Sequence, residues 1–356
     1  MIAETRTVFW ENGQVCMIDQ RILPATFQIN RYDTYQQVAE SIKTMVVRGA
    51  PAIGAAAGFG MALAAQNSMA KNTDALLQEL KANGQILAQS RPTAVNLFWA
   101  IERMLHCAEK SRLESIKALR QRLLNEAQLI ADEDIETNKR MGVYGAELVP
   151  QTATIIHHCN TGSLATVGWG TALGVVRSAF SQGKKLHVLV DETRPRLQGA
   201  RLTSWELKNL GIDHRIIADG ASGHYMRREG VDLCLVGADR IAANGDTANK
   251  IGTYNLAVVA HENGVPFYVV APLSTIDLSI PHGDLIEIEE RDSDEVTSIA
   301  GQRIAPEGVK AGNPAFDVTP NQYITAIVTE YGVIRPPFVV NLRKLADHSL
   351  QAEPLK

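Results

Sequence analysis

Two hydrophobic rhythms divide the chain. At its start, Val8-Phe9-Trp10 and Val15-Cys16-Met17-Ile18 flank a turn containing Asn12-Gly13, the signature of a β-hairpin. From there to Leu148 apolar residues recur at spacings of three and four, as on a helix with one buried stripe. Asp33-Thr34 is suited to cap a helix through about Val47, Pro92 to sit in the first turn of one through Lys110, and Glu114 to Leu148 continues the pattern. Residues 1–148 therefore read as a mostly helical N-terminal domain with a small β-hairpin start.

From Thr152 the period changes. Thr154-Ile155-Ile156, Leu186 to Val190, Arg215-Ile216-Ile217, Leu233 to Val236 and Phe267 to Val270 are short apolar runs separated by helix-compatible sequence. Parallel strands need crossover connections, so this alternation predicts a parallel sheet covered on both faces. Residues 149–356 are thus expected to form a Rossmann-like, doubly wound α/β domain. Gly211, Gly230 and Asn263-Gly264 stand where a helix hands over to a strand.

Length and composition narrow the function. The 356 residues suffice for two domains of about 150 residues each, and 45% apolar with 21% charged residues is ordinary for a globular protein. A formal charge of -4 supplies no field for a nucleic-acid backbone or an anionic membrane, so an anionic ligand would be caught locally. Cys16, Cys107, Cys159 and Cys234 are far apart with no Cys-x-x-Cys pair, which fits a reduced, cytoplasmic setting better than a disulfide framework or a zinc site. Met1 to Trp10 carries Glu4 and Arg6 and no apolar run, unlike a signal peptide, and the Ala/Gly-rich stretch Pro51 to Ala65 is too short to span a bilayer.

Ligands of open parallel sheets bind beyond the carboxyl ends of the strands. The residues there are His158-Cys159-Asn160-Thr161-Gly162, Asp191-Glu192-Thr193-Arg194-Pro195, Asp219-Gly220, Gly237-Ala238-Asp239-Arg240 and Ala271-Pro272-Leu273-Ser274. Cys159 precedes small polar residues expected to open a helix, where a thiol is activated; position alone equally allows a small buried hydrophobe. Asp239 leaves an apolar strand, where desolvation would raise its pKa as a general acid needs; a helix cap or a pair with Arg240 is the plainer alternative. Asn249-Lys250, read as part of the next helical segment, offers an amide and a point charge. Arg48-Gly49-Ala50-Pro51 leads into a helix, with Gly49 permitting a ligand near the backbone or simply a tight helix joint. Arg91-Pro92-Thr93 repeats the theme of an arginine ahead of a helix, and Gln198 follows the second strand. Neither Gly168-Trp169-Gly170 nor Gly58-Phe59-Gly60 completes a dinucleotide fingerprint, and His261-Glu262 ends a helix without the spacing of a zinc site.

Taken jointly and in order, several segments resemble the methylthioribose-1-phosphate isomerase family, which is related to regulatory subunits of the eukaryotic translation-initiation exchange factor and to ribose-1,5-bisphosphate isomerases. They are Arg48 to Gly54, Arg91 to Leu97, His158 to Gly162, Asp191 to Pro195, Gln198 to Thr203, Gly237 to Arg240 and Asn249 to Thr253. Thr161 departs from the alanine expected there. The resemblance implies that Asp239 is the proton donor and Cys159 a relay or transition-state stabiliser. It implies that Arg48, Gly49, Ala50, Arg91, Gln198, Asn249 and Lys250 contact a sugar phosphate. It further implies isomerisation of an aldose phosphate in methionine salvage, in a homodimer formed through the C-terminal domain; no metal or cofactor is expected, because the sequence carries neither a ligand cluster nor a nucleotide fingerprint. A non-catalytic sensing subunit and a ribose 1,5-bisphosphate isomerase are the alternatives.

Overall fold

The computed structural model describes residues 5–92 and 94–351; Glu4 and Thr93, named above, lie outside the described residues. The chain divides into two compact units, residues 1–137 with 162–170, and residues 138–161 with 171–356.

In the first unit the Asn12-Gly13 hairpin forms as expected, joining β1 (Val8–Glu11) to β2 (Gln14–Ile18), with β3 (Ile29–Tyr32) adding antiparallel on the far side of β2. Helix α1 (Tyr35–Lys43) starts where the sequence indicates, with a reciprocal capping box between Thr34 and Gln37. Helix α2 (Ala50–Asn67) is buried on every side from Ala52 to Ala65, the condition under which a helix has no polar face. Its small residues let neighbours approach: a Cβ on Gly60 would meet Leu87 and Val38 methyls at 3.1 Å. The Ala/Gly-rich stretch is thus the axis of this unit's core, and no helix among the described residues is long and apolar enough to cross a membrane. Helices α3 (Thr73–Ala88), α4 (Val95–Lys110) and α5 (Ile116–Ala146) follow. Helix α4 begins after Ala94, so Pro92 precedes it instead of occupying its first turn.

The second unit is the doubly wound domain. Its strands and helices run β4 (Thr152–His157), α6 (Ala172–Ser181), β5 (Lys185–Asp191), α7 (Ser204–Leu210), β6 (Asp213–Ile217), α8 (Ser222–Arg228) and β7 (Leu233–Val236). Then come β8 (Arg240–Ala242), β9 (Thr247–Lys250), α9 (Thr253–Glu262), β10 (Phe267–Val270), β11 (Ile276–Asp277), α10 (Asp294–Thr297), β12 (Ser298–Ile299) and β13 (Gln302–Arg303). The chain closes with β14 (Phe316–Thr319), β15 (Ala326–Thr329), β16 (Gly332–Ile334) and α11 (Phe338–Gln351).

The seven-stranded sheet has the order β16-β15-β10-β7-β4-β5-β6, parallel throughout except for the antiparallel edge strand β16. All five apolar runs are strands in it; those of β7 and β10 are buried throughout and those of β4 and β5 nearly so, while on the edge strand β6 Ile217 is buried and Arg215 and Ile216 are exposed. Strand order reverses between β4 and β7, the topological switch point, where adjacent loops diverge to opposite faces and leave a crevice. A second sheet, β11-β8-β9-β14, carries Asn249 and Lys250 on β9, where a helix had been expected. Thr247-Ala248-Asn249-Lys250 lacks the apolar run of a buried strand, yet it is held between β8 and β14 and all four residues are buried.

Candidate active site

Strand β4 pairs His157 with Leu235 of β7, so Cys159 and Asp239 leave the sheet from neighbouring strands on either side of the switch point. Cys159 is buried and held at φ 67°, a left-handed conformation that costs a non-glycine residue on the order of 1–3 kcal/mol. Neighbouring threonines hold it there. Its N–H donates to Thr193 Oγ1 at 2.9 Å, and its carbonyl accepts from Thr203 Oγ1 at 2.7 Å. Thr193 in turn donates to the Asp191 carbonyl at 2.9 Å. Asn160 donates to Glu206 Oε1 at 2.8 Å and to Thr203, pinning the next residue.

The expected helix opening at Asn160 to Ser163 is not there. The chain leaves the second unit at Gly162, makes a 3₁₀ turn over Ser163–Ala165 and returns at Thr171, so α6 begins only at Ala172. Thr161 nevertheless serves that helix, because its Oγ1 accepts from Leu173 N at 3.0 Å.

Asp239 is anchored by its amide, which donates to Ala248 O at 2.9 Å and ties it to β9. Its side chain is exposed, so the expectation of a carboxyl desolvated by its apolar strand is corrected: β7 ends three residues earlier and Asp239 lies beyond the core. Two residues after Ala248, Lys250 is buried. Burial pushes its ammonium down to about 8, with Arg291 acting in the same direction, while Cys159, Asp239 and Glu289 partly offset both. Cys159 and Asp239 thus both lie within electrostatic reach of Lys250. The ammonium also stands over the Phe316 ring, 4.2 Å from its centroid, and donates to Ala315 O. Asn249 donates to Thr253 Oγ1 at 3.0 Å.

Gln198 is buried at the start of a π-helical turn, Gly199–Thr203, and its Oε1 has no hydrogen-bond partner. Such an orphaned acceptor costs about 1–3 kcal/mol until a donor such as a ligand hydroxyl reaches it. Gly199 packs so closely that a Cβ would lie 1.8 Å from Asp191 O, which links this turn to the threonine network around Cys159.

Arg48, Gly49, Ala50 and Arg91 belong to the first unit. Gly49 has φ 93° and precedes α2, but the group against it is the chain's own Ala165 carbonyl, 2.2 Å from where a Cβ would be. The glycine therefore serves a close backbone joint. Arg48 and Arg91 are half-buried.

Sequence reasoning gave no role to His158, Asp191 or Asp219, although all three stand at strand ends. They bring donor atoms within 4.8 Å of one another, as a metal site would. The fold consumes those atoms: His158 bonds Asp191 Oδ2 at 2.9 Å and Ile251 O at 2.8 Å, and Asp219 accepts the amides of Thr193 and Arg194, both at 2.7 Å. The donor set fits internal hydrogen bonding better than an ion. His157, wholly buried, is pushed down to about 3 by desolvation and by the charge of His158, and is neutral.

A doubly wound α/β domain with a thiol and a carboxyl flanking its switch point, beside a buried lysine, defines a protein built to take a small anionic ligand at its strand ends. Residues 46–336 match the Initiation factor 2 subunit family, and the chain belongs to that family. It is 53% identical over 340 residues to methylthioribose-1-phosphate isomerase of Geotalea uraniireducens, covering 96% of this chain and 98% of that protein. The crystal structure of 5-methylthioribose 1-phosphate isomerase from Pyrococcus horikoshii OT3 matches with TM-score 0.92 at 50% identity, over 97% of this chain and 96% of that one. A crystal structure described as translation initiation factor eIF-2B, subunit delta, from A. fulgidus matches with TM-score 0.88 at 46% identity, over 96% of this chain and 99% of that one.

Proposed function

We propose that the chain is an aldose–ketose isomerase converting 5-methylthio-α-D-ribose 1-phosphate into 5-methylthio-D-ribulose 1-phosphate, a step of methionine salvage. Relatives of that name at about half identity support the reading. The observation in the chain itself that carries it is the pair Cys159 and Asp239, leaving adjacent strands at the switch point and both felt by Lys250.

An aldose whose anomeric oxygen carries phosphate cannot open spontaneously. Asp239 donates a proton to the ring oxygen, the bond from C1 to that oxygen breaks, and the oxygen remains as a hydroxyl. One hydrogen then passes from C2 to C1, and the C2 hydroxyl gives up its proton to become the ketone, restoring Asp239. No oxidant or reductant is consumed. Cys159 stabilises or relays the transfer at these two carbons. Lys250 is assigned to the phosphate, and Gln198 and Asn249 to sugar hydroxyls; Arg48, Gly49, Ala50 and Arg91 are assigned substrate contact on the family resemblance alone. Binding energy at a non-reacting group is thereby used to orient the reacting carbons.

A non-catalytic subunit is the rival, favoured by the 46% identity with the protein described as an eIF-2B subunit. Incubating the pure protein with the sugar phosphate and detecting the ketose decides between them; binding without turnover overturns the isomerase. A bisphosphorylated sugar would need further cations, and Arg194 and Arg196 are already taken by Val296 O and Glu295. The 5-deoxy analogue, altered only at its apolar end, is expected to turn over. The reaction is assigned to the cytoplasm, a setting in keeping with four cysteines that form no disulfide. The assembly is assigned as a homodimer, for which exposed Val339 and Val340 on α11 offer apolar surface.

A further inference from the structure

The reaction as written makes no use of the buried pair His158 and Asp191, each about 1% exposed. Both ring nitrogens of His158 face acceptors, the Asp191 carboxylate at 2.9 Å and the Ile251 carbonyl at 2.8 Å. Asp191 Oδ1 meanwhile takes the Ser222 hydroxyl at 2.9 Å. An imidazole that donates twice is an imidazolium. The ring is also wedged against the turn after β9, since a Cβ on Gly252 would lie 2.8 Å from its Cε1. His158 is therefore bonded covalently to Cys159 on one side and seated on the Lys250-Ile251-Gly252 turn on the other.

We propose that the His158–Asp191 ion pair is a positioning device that fixes the Cys159 loop against the Lys250–Gly252 turn, setting the thiol's place relative to the ammonium. Loss of one ring proton would turn a lone pair toward the Ile251 carbonyl and release the turn. The surrounding charges oppose that loss. Asp191 on β5 and Asp219 beyond β6 face the ring, as does Asp317 on β14, whose carboxyl accepts Gly252 N at 2.7 Å. Lys250 on β9 and the neutral His157 on β4 complete the surroundings, with Cys234 of β7 behind Asp191. Burial alone would push His158 down, but the bond to Asp191 and the charges of Asp191 and Asp219 outweigh it and hold the ring above its ordinary value.

This inference rests on the isomerase reading, and Asp191→Asn tests it. Asparagine keeps an acceptor for Nδ1 but removes the charge, so burial is left to push His158 below its ordinary value and the ring should be neutral at pH 8. Relative to the parent at each pH, kcat should fall about 100-fold at pH 8 with KM within about threefold, and the variant-to-parent ratio should rise as the pH is lowered and the buried ring regains its second proton. A variant-to-parent ratio that does not change with pH overturns the proposal. Should the variant fail to fold, ¹⁵N-histidine spectra of the parent at pH 8 give a second reading: both His158 ring nitrogens are expected in the protonated form, and one bare nitrogen overturns the device. A parent that makes no ketose would instead defeat the isomerase reading, while the spectra would still judge the ion pair.

Discussion

The amide of Asp239 donates to the carbonyl of Ala248 at 2.9 Å, so the carboxyl assigned as acid is tied by its own backbone to the strand that ends at Lys250. That bond survives any change of side chain, and the side chain itself is exposed. Asp239→Asn should therefore leave the fold and melting temperature unchanged while kcat falls by about 10²- to 10⁴-fold, the usual worth of general acid catalysis. Ketose formation at saturating substrate, beside a thermal melt, measures both. A variant turning over like the parent would remove Asp239 from the reaction.

Lys250 gives the pH dependence a sign. With its ammonium pushed down to about 8, the side chain is cationic below that pH and neutral above it. Affinity for the phosphate ester should weaken as pH rises through about 8, seen as a rising KM. Lys250→Met should raise KM at neutral pH and abolish this limb. Without ligand the linkage runs the other way. Between about 8 and the ordinary value of 10.5 the unfolded chain holds more protons than the folded one, so this residue makes stability rise with pH across that window. Denaturant titrations at pH 8 and 10 check it.

Chelation should change nothing. Among the described residues, His158, Asp191 and Asp219 form the one grouping with donor spacing suited to an ion, and internal hydrogen bonds occupy those donors. Activity after dialysis against a strong chelator should equal that of the untreated protein. A loss restored by a divalent cation would mean that the donors open to take a metal.

The legible parts of this fold were those where burial is apolar. β4, β5, β7 and β10 are built around buried Ile, Leu, Val and aromatic residues, β6 around the pair Ile216-Ile217 at the sheet's edge, and once they are strands the switch point puts Cys159 and Asp239 beyond the ends of neighbouring strands. β9 was hidden because Asn249 and Lys250 are polar residues buried in a strand, a pattern that depends on partners remote in sequence: β14 pairs Phe316 with Lys250 across 65 intervening positions of the chain. Position at a strand end flagged His158 and Asp191, but their bond joins residues 33 apart and required the register of β4 against β5. The return of residues 162–170 to the first unit left no mark in the periodicity, since a short 3₁₀ turn and glycines have none.

Thr161, where the family resemblance leads one to expect alanine, is predicted to matter for stability and not for catalysis. Its Oγ1 accepts from Leu173 N in the first turn of α6, at 3.0 Å, as an N-cap would from a distance. Its methyl packs on Gly237, where a Cβ would come within 2.8 Å. Thr161→Ala removes the cap and a buried methyl, a loss of about 1–2 kcal/mol. For a domain of this size that lowers the melting temperature by roughly 2–8 °C. Cys159 is held by Thr193 and Thr203 instead, so kcat should stay within about twofold of the parent, and Thr161→Ser should restore most of the stability. A large fall in kcat with an unchanged melting temperature would show that the hydroxyl acts on the thiol loop and not on the helix.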